Sequence, residues 1–145
     1  MWTDTLEQFC SGFDQTCRTF KLTPESEHWK HIEKQFAKDP LSGNLKLEDL
    51  RIKSIEMVQN IVHWARFNLE LVNLEKKLGR QPTVYSLWHG TRSHDPRYII
   101  SNEAGLNINF ARGGHQWGKG LHFAADAAYS CPTFSYWVPN KHHTY

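Results

Sequence analysis

Val84-Tyr85-Ser86-Leu87-Trp88-His89-Gly90-Thr91 decides how the rest of this chain is read. A short apolar run follows Pro82 and stops abruptly at His89. Its length and its Val, Tyr and Trp content predict a buried strand over Val84–Trp88. The strand delivers three different groups to one edge: a ring nitrogen from His89, bare backbone at Gly90 and a hydroxyl from Thr91. Taken alone, a histidine at a strand end is more often a satisfied polar residue than a ligand contact.

Downstream, Asp95 is placed to cap a short helix over Pro96–Asn102, which Gly105 ends. Asn107–Trp117 is polar and contains glycine, hence a loop. Gly118-Lys119-Gly120-Leu121-His122-Phe123-Ala124 leads into a strand over Leu121–Ala124, and Ala125–Ser130 into a helical turn. Gly113–Lys119 fits the G-x-x-x-x-G-K phosphate-loop spacing, but Gly120 follows where Ser or Thr should hold magnesium, and a strand follows instead of a helix. The phosphate loop is therefore rejected. His89, His94, His115 and His122 share no short ligand spacing and no accompanying thiol, which argues against a metal site. The residues after Ser130, with Pro132, Pro139 and His142-His143, show no period.

Upstream, Leu6, Phe9, Phe13 and Cys17 recur at intervals of three to four and predict an amphipathic helix over Trp2–Phe20. Thr23-Pro24-Glu25-Ser26-Glu27 is a helix start, with Trp29, Ile32 and Phe36 on one face. Asp39-Pro40 and Ser42-Gly43-Asn44 end it in a turn. Ile52, Ile55, Met57 and Val58 predict a strand within Leu50–Val58. From Ile61 to Leu78, Trp64, Phe67, Leu71, Leu74 and Leu78 repeat every three or four residues, and Gly79 stands at the C-cap position. The class is α+β, without internal repeats.

At 145 residues the chain holds one domain at most. A net charge of +2 gives no general pull toward nucleic acid or anionic lipid. No run approaches the roughly 20 apolar residues of a membrane span. Three cysteines, Cys10, Cys17 and Cys131, form no CxxC pair, so a disulfide framework is not expected and an intracellular setting, nuclear or cytoplasmic, fits best. Aromatic residues make up 13% of the chain, enough either for bulky core layers or for flat surfaces offered to a planar ligand.

Leu87–Thr91 followed by Trp117–Ala124 and Ser130 resembles the NAD⁺ signature of the poly(ADP-ribose) polymerase family, and Asp126–Ser130 looks most like its mono-ADP-ribosylating branch. Glu25–Phe36 is similar to the helix that opens such domains, and Ile52–Asn60 to the strand that follows it, with Trp64 in the next helix. The likeness runs roughly from Thr23 to Tyr136, dividing the chain into an N-terminal helical segment (1–22) and a partial catalytic domain (23–145). It implies the ADP-ribosyltransferase fold of split antiparallel sheets with flanking helices. It also implies NAD⁺ as substrate, without metal, and transfer of one ADP-ribose to an acceptor protein. His89 would hold a ribose hydroxyl. Gly90 and Ser130 would hold the nicotinamide amide, and Phe134 or Tyr136 would stack on the ring. Thr91 and Gly120 complete the cofactor contacts, and Asn107–Trp117 would cover them as a lid. The catalytic roles fall to His89 and His122, since cleaving the nicotinamide–ribose bond through an oxocarbenium-like state needs orientation and charge stabilisation.

The sequence departs from the family's pattern twice. His122 stands where the family carries tyrosine, a smaller ring that titrates near neutral pH. The glutamate supplied by a later strand has no counterpart before Tyr145, so a domain truncated at its C-terminus, with an unpaired sheet edge, is expected. A binding module without turnover is the alternative. A plain helical interaction module, with an accidental His-Gly-Thr, is the third reading.

Overall fold

The computed structural model describes residues 16–36, 51–111 and 118–138. The architecture is α+β: helices around one two-stranded antiparallel sheet. Strand β1 is Cys17–Lys21, and helix α1 is Glu27–Phe36. Strand β2, Glu56–Asn60, runs directly into helix α2, Ile61–Leu78. A short helix α3, Pro96–Ser101, a 3₁₀ turn over Ile108–Phe110 and a single helical turn α4, Ala127–Ser130, complete the order.

Strand β1 corrects the helix expected over Trp2–Phe20. Cys17 pairs with Asn60 and Lys21 with Glu56. Leu22 N–H to Ile55 O (2.9 Å) and Ile61 N–H to Thr16 O (3.0 Å) extend the ladder at either end. Thr19 and Phe20 suit an extended, half-covered backbone, and a cross-strand partner overrides a helical period that reached this segment only through Cys17. The segment 17–21 thus belongs to the sheet and not to a separate helical segment. Residues 1–15 of the expected helix and the turn at 39–44 lie outside the described residues. Strand β2 ends at Asn60, two residues later than the expected Leu50–Val58, because its ladder follows β1.

Helix α2 has the predicted boundaries, for local reasons. The Asn60 side chain accepts from the backbone N–H groups of Val62 and His63, both at 3.0 Å. At the other end Gly79 adopts φ +66°, open to glycine at no steric cost, and donates its N–H to Glu75 O. Lys76 and Lys77 in the last turn complement the helix dipole. No residue of α2 is buried. Its polar contacts run to the turn after α3: His63 Nε2 lies 2.8 Å from Asn102 O, and the Arg66 guanidinium donates to Glu103 O.

The buried apolar residues lie elsewhere. Trp29 of α1 is 7% exposed, and Ala127 of α4 only 1%. Helix α1 packs on α4, and its Phe36 meets Trp88 edge-on with ring centroids 5.8 Å apart. This cluster sits directly behind the His89 segment.

The strands expected over Val84–Trp88 and Leu121–Ala124 shrink to one antiparallel bridge. Trp88 N–H donates to Ala124 O (2.8 Å), and Ala124 N–H to Trp88 O (2.9 Å). Val84, Tyr85 and Leu87 are 57%, 74% and 50% exposed, so this run is not a buried strand. A strand is defined by its ladder, and among the described residues no ladder partner reaches the run before Trp88.

Candidate active site

The Trp88–Ala124 bridge fastens the two motif segments together, and the candidate residues lie immediately beyond it. His89 Nδ1 stands 2.8 Å from the carbonyl oxygen of His122. A carbonyl can only accept, so Nδ1 carries the proton and a neutral His89 presents Nε2 as an acceptor. The His89 ring also rests on Phe123, with centroids 5.1 Å apart at 43°. Position, tautomer and tilt of this imidazole are therefore set by the segment it faces.

Gly90 is required by another part of the chain. A Cβ there would lie 2.2 Å from Phe134 O and 2.8 Å from Phe134 Cβ. Phe134 is held from three further directions. Its N–H donates to Ser130 O (3.0 Å), its carbonyl accepts from Arg92 N–H (2.8 Å), and its ring stacks on Tyr129 at 5.5 Å and 22°. Helical turn α4 and the residues after it are thereby locked to the His89-Gly90-Thr91 segment.

Thr91 spends its hydroxyl locally, donating to His94 O at 2.5 Å, while His94 N–H donates to Thr91 O at 3.1 Å. Asp95, 9% exposed, then caps α3 by accepting from Arg97 N–H at 2.9 Å. Both its oxygens also receive the Arg97 guanidinium. That guanidinium, helped by the backbone N–H, holds the Asp95 carboxyl below its ordinary range against the opposing effect of burial.

His89, Gly90, Thr91, Gly120, His122, Ser130 and Phe134 all line one cavity of about 400 Å³. Of the two aromatic candidates, Phe134 lines it and Tyr136 does not. His122 Nε2 lies 3.2 Å from Gly118 O and donates to it, so the ring folds over its own glycine turn. Of the expected lid, Asn107 and Ala111 reach the cavity wall, whereas 112–117 lie outside the described residues. Sequence reasoning missed Arg92, Phe123 and Tyr129 as wall residues. The signal for Tyr129 was present, an aromatic one residue before Ser130, but only the observed stack reveals its use. No carboxylate lies among the lining residues, and among the described residues no three His, Cys, Asp or Glu side chains gather as metal ligands would.

Two kinds of comparison agree with this geometry. Residues 26–145 match the family model for the poly(ADP-ribose) polymerase catalytic domain. The chain is 30% identical over 135 residues to the human protein mono-ADP-ribosyltransferase PARP11, covering 83% of this chain and 39% of that protein. With the mouse PARP11 protein it shares 40% over 81 residues, covering 55% of this chain and 24% of the relative. With a "probable poly [ADP-ribose] polymerase" of Dictyostelium discoideum it shares 35% over 82 residues, covering 54% and 24%. The chain thus spans about a quarter to two-fifths of the length of these relatives. The match covers both motif segments together with helix α1 and strand β2, and the chain belongs to the poly(ADP-ribose) polymerase catalytic domain family.

Proposed function

We propose that this chain forms the nicotinamide-binding part of an NAD⁺ ADP-ribosyltransferase site that passes a single ADP-ribose from NAD⁺ to a protein acceptor. In this reading the domain has the family's fold of split antiparallel sheets with flanking helices. The observation that carries it is the convergence of the His89-Gly90-Thr91 and Gly120–Ser130 segments on one cavity. A volume of about 400 Å³ suits a small ligand held by a few polar groups on a mostly apolar wall.

When bound, NAD⁺ supplies an activated bond between nicotinamide and ribose, whose cleavage develops positive charge on the sugar. The residues present fit that substrate. His89 offers Nε2 as an acceptor for a ribose hydroxyl, because Nδ1–H is already spent on His122 O. Gly90 backbone and the Ser130 hydroxyl offer the donor and acceptor groups that a planar carboxamide needs. The Phe134 ring, rigidified by Tyr129, offers a flat apolar face. His122 closes the opposite segment with a second ring. These groups orient and grip, which is the larger part of what such a reaction demands of a protein. The free thiols of Cys17 and Cys131 support an intracellular setting, nuclear or cytoplasmic.

A second reading, nucleotide binding without turnover, is favoured by one observation: no carboxylate lines the cavity. Incubation of the chain with radiolabelled NAD⁺ separates the two. Label on the protein that disappears in His89→Ala supports transfer. Absence of label, with a thermal shift on adding nicotinamide, supports binding alone. Neither label nor shift sinks both.

A further inference from the structure

Among the described residues lining the cavity, Arg92 is the one strongly cationic side chain, and it is held there in three ways. Its backbone lies at φ +49°, a left-handed conformation uncommon for any residue with a side chain of this size. Its N–H is anchored on Phe134 O at 2.8 Å. Its guanidinium lies over the Phe134 ring, 5.9 Å from the centroid, and Phe134 in turn stacks on Tyr129. Arg92 and Tyr129 thus both contact the Phe134 ring.

Among the described residues the charge of this guanidinium meets no carboxylate. Asp95, the nearest acid in sequence, is fully engaged by Arg97. Among the described residues no carboxylate pairs with Arg92, and none of the residues lining the cavity is acidic. A positive fork with preset orientation, on a wall that holds no negative charge, is built to receive an anion.

We infer that Arg92 contacts the diphosphate of the dinucleotide whose nicotinamide end lies toward Gly90 and Ser130. The assignment rests on the reading proposed above, and it adds a polarity to the cavity. The carboxamide end is gripped by neutral donors and acceptors, and the anionic middle of the molecule leaves past Arg92.

The test uses the full chain and calorimetric titration with two probes, nicotinamide and ADP-ribose, of which only the second carries a diphosphate. Arg92→Gln is expected to weaken ADP-ribose about tenfold, the worth of a charge-assisted contact, while nicotinamide affinity stays within twofold. Arg92→Lys is expected to recover part of the loss, since it keeps the charge but not the fork. The salt dependence of ADP-ribose binding should flatten in Arg92→Gln. Unchanged ADP-ribose affinity overturns the assignment. Equal loss of both probes overturns it too, because Arg92 would then act only by propping Phe134. A parent chain that binds nicotinamide but not ADP-ribose sinks the role of Arg92 and leaves the nicotinamide reading standing. A parent that binds neither probe sinks both.

Discussion

Gly90 and Phe134 approach so closely that the smallest side chain would not fit between them: a Cβ on Gly90 would stand 2.2 Å from the Phe134 carbonyl oxygen. The contact joins the segment bearing His89 to the turn following Ser130, and a second hydrogen bond, Arg92 N–H to the same carbonyl, reinforces it. The glycine of the motif therefore has a structural duty besides any contact with ligand.

Gly90→Ala should push these segments apart. Overpacking of this kind costs about 1–3 kcal/mol, or roughly 4–8 °C in melting temperature per kcal/mol for a small domain. A thermal melt checks stability, and the shift induced by nicotinamide checks the site. An alanine variant with the parent's melting temperature would show that the approach is looser than described.

Asn60 joins three elements with one amide. Its oxygen caps α2 through Val62 and His63, while its nitrogen donates to Ile100 O (2.9 Å) at the end of α3. Asn60→Ala is expected to cost about 1–2 kcal/mol, combining a lost cap with an Ile100 carbonyl left to the weaker Cys17 thiol donor. Asn60→Asp keeps the cap and loses only the donor, so it should fall between alanine and parent. Urea unfolding midpoints decide, and an aspartate no better than alanine would remove the capping argument.

The Asp95–Arg97 pair makes a pH prediction whose sign can be worked out. The folded-state pKa of Asp95 lies below its ordinary value of 3.8, chiefly through the Arg97 hydrogen bond. A depressed carboxylate contributes stability that is fully present above the unfolded pKa and is lost as pH falls through the folded one. Asp95→Asn retains an N-cap without charge, so the parent should exceed it in stability at pH 7, with the gap closing below about pH 4. Denaturant melts of both proteins across that range measure the gap. A gap that persists unchanged into acid would refute the charge pairing.

His122 supplies a ring to the cavity where a tyrosine would offer a larger one. His122→Tyr should raise nicotinamide affinity by about two- to tenfold, the range of an improved aromatic contact. Equilibrium binding of nicotinamide measures it. Equal or weaker binding would assign His122 to its Gly118 hydrogen bond alone.

The parts of this protein legible in the sequence are those governed by neighbours along the chain. The limits of α2 follow from Asn60, a three-to-four-residue apolar period and Gly79, and those of α3 from Asp95 and Pro96. Capping and periodicity act within a turn or two, so the residues concerned are all in view. The resemblance carried by the two glycine-bearing motifs also singled out residues that line one cavity. Tertiary structure alone decided the rest. Cys17–Lys21 is a strand because β2 lies beside it, whatever its own period favours. Val84–Leu87 is exposed because pairing begins only at Trp88. The proton on His89 Nδ1 and the contact of Arg92 with the Phe134 ring depend on groups from distant segments. Hydrogen-bond partners and ring contacts between remote residues are set by the closure of the chain, and no local pattern encodes which atoms will meet.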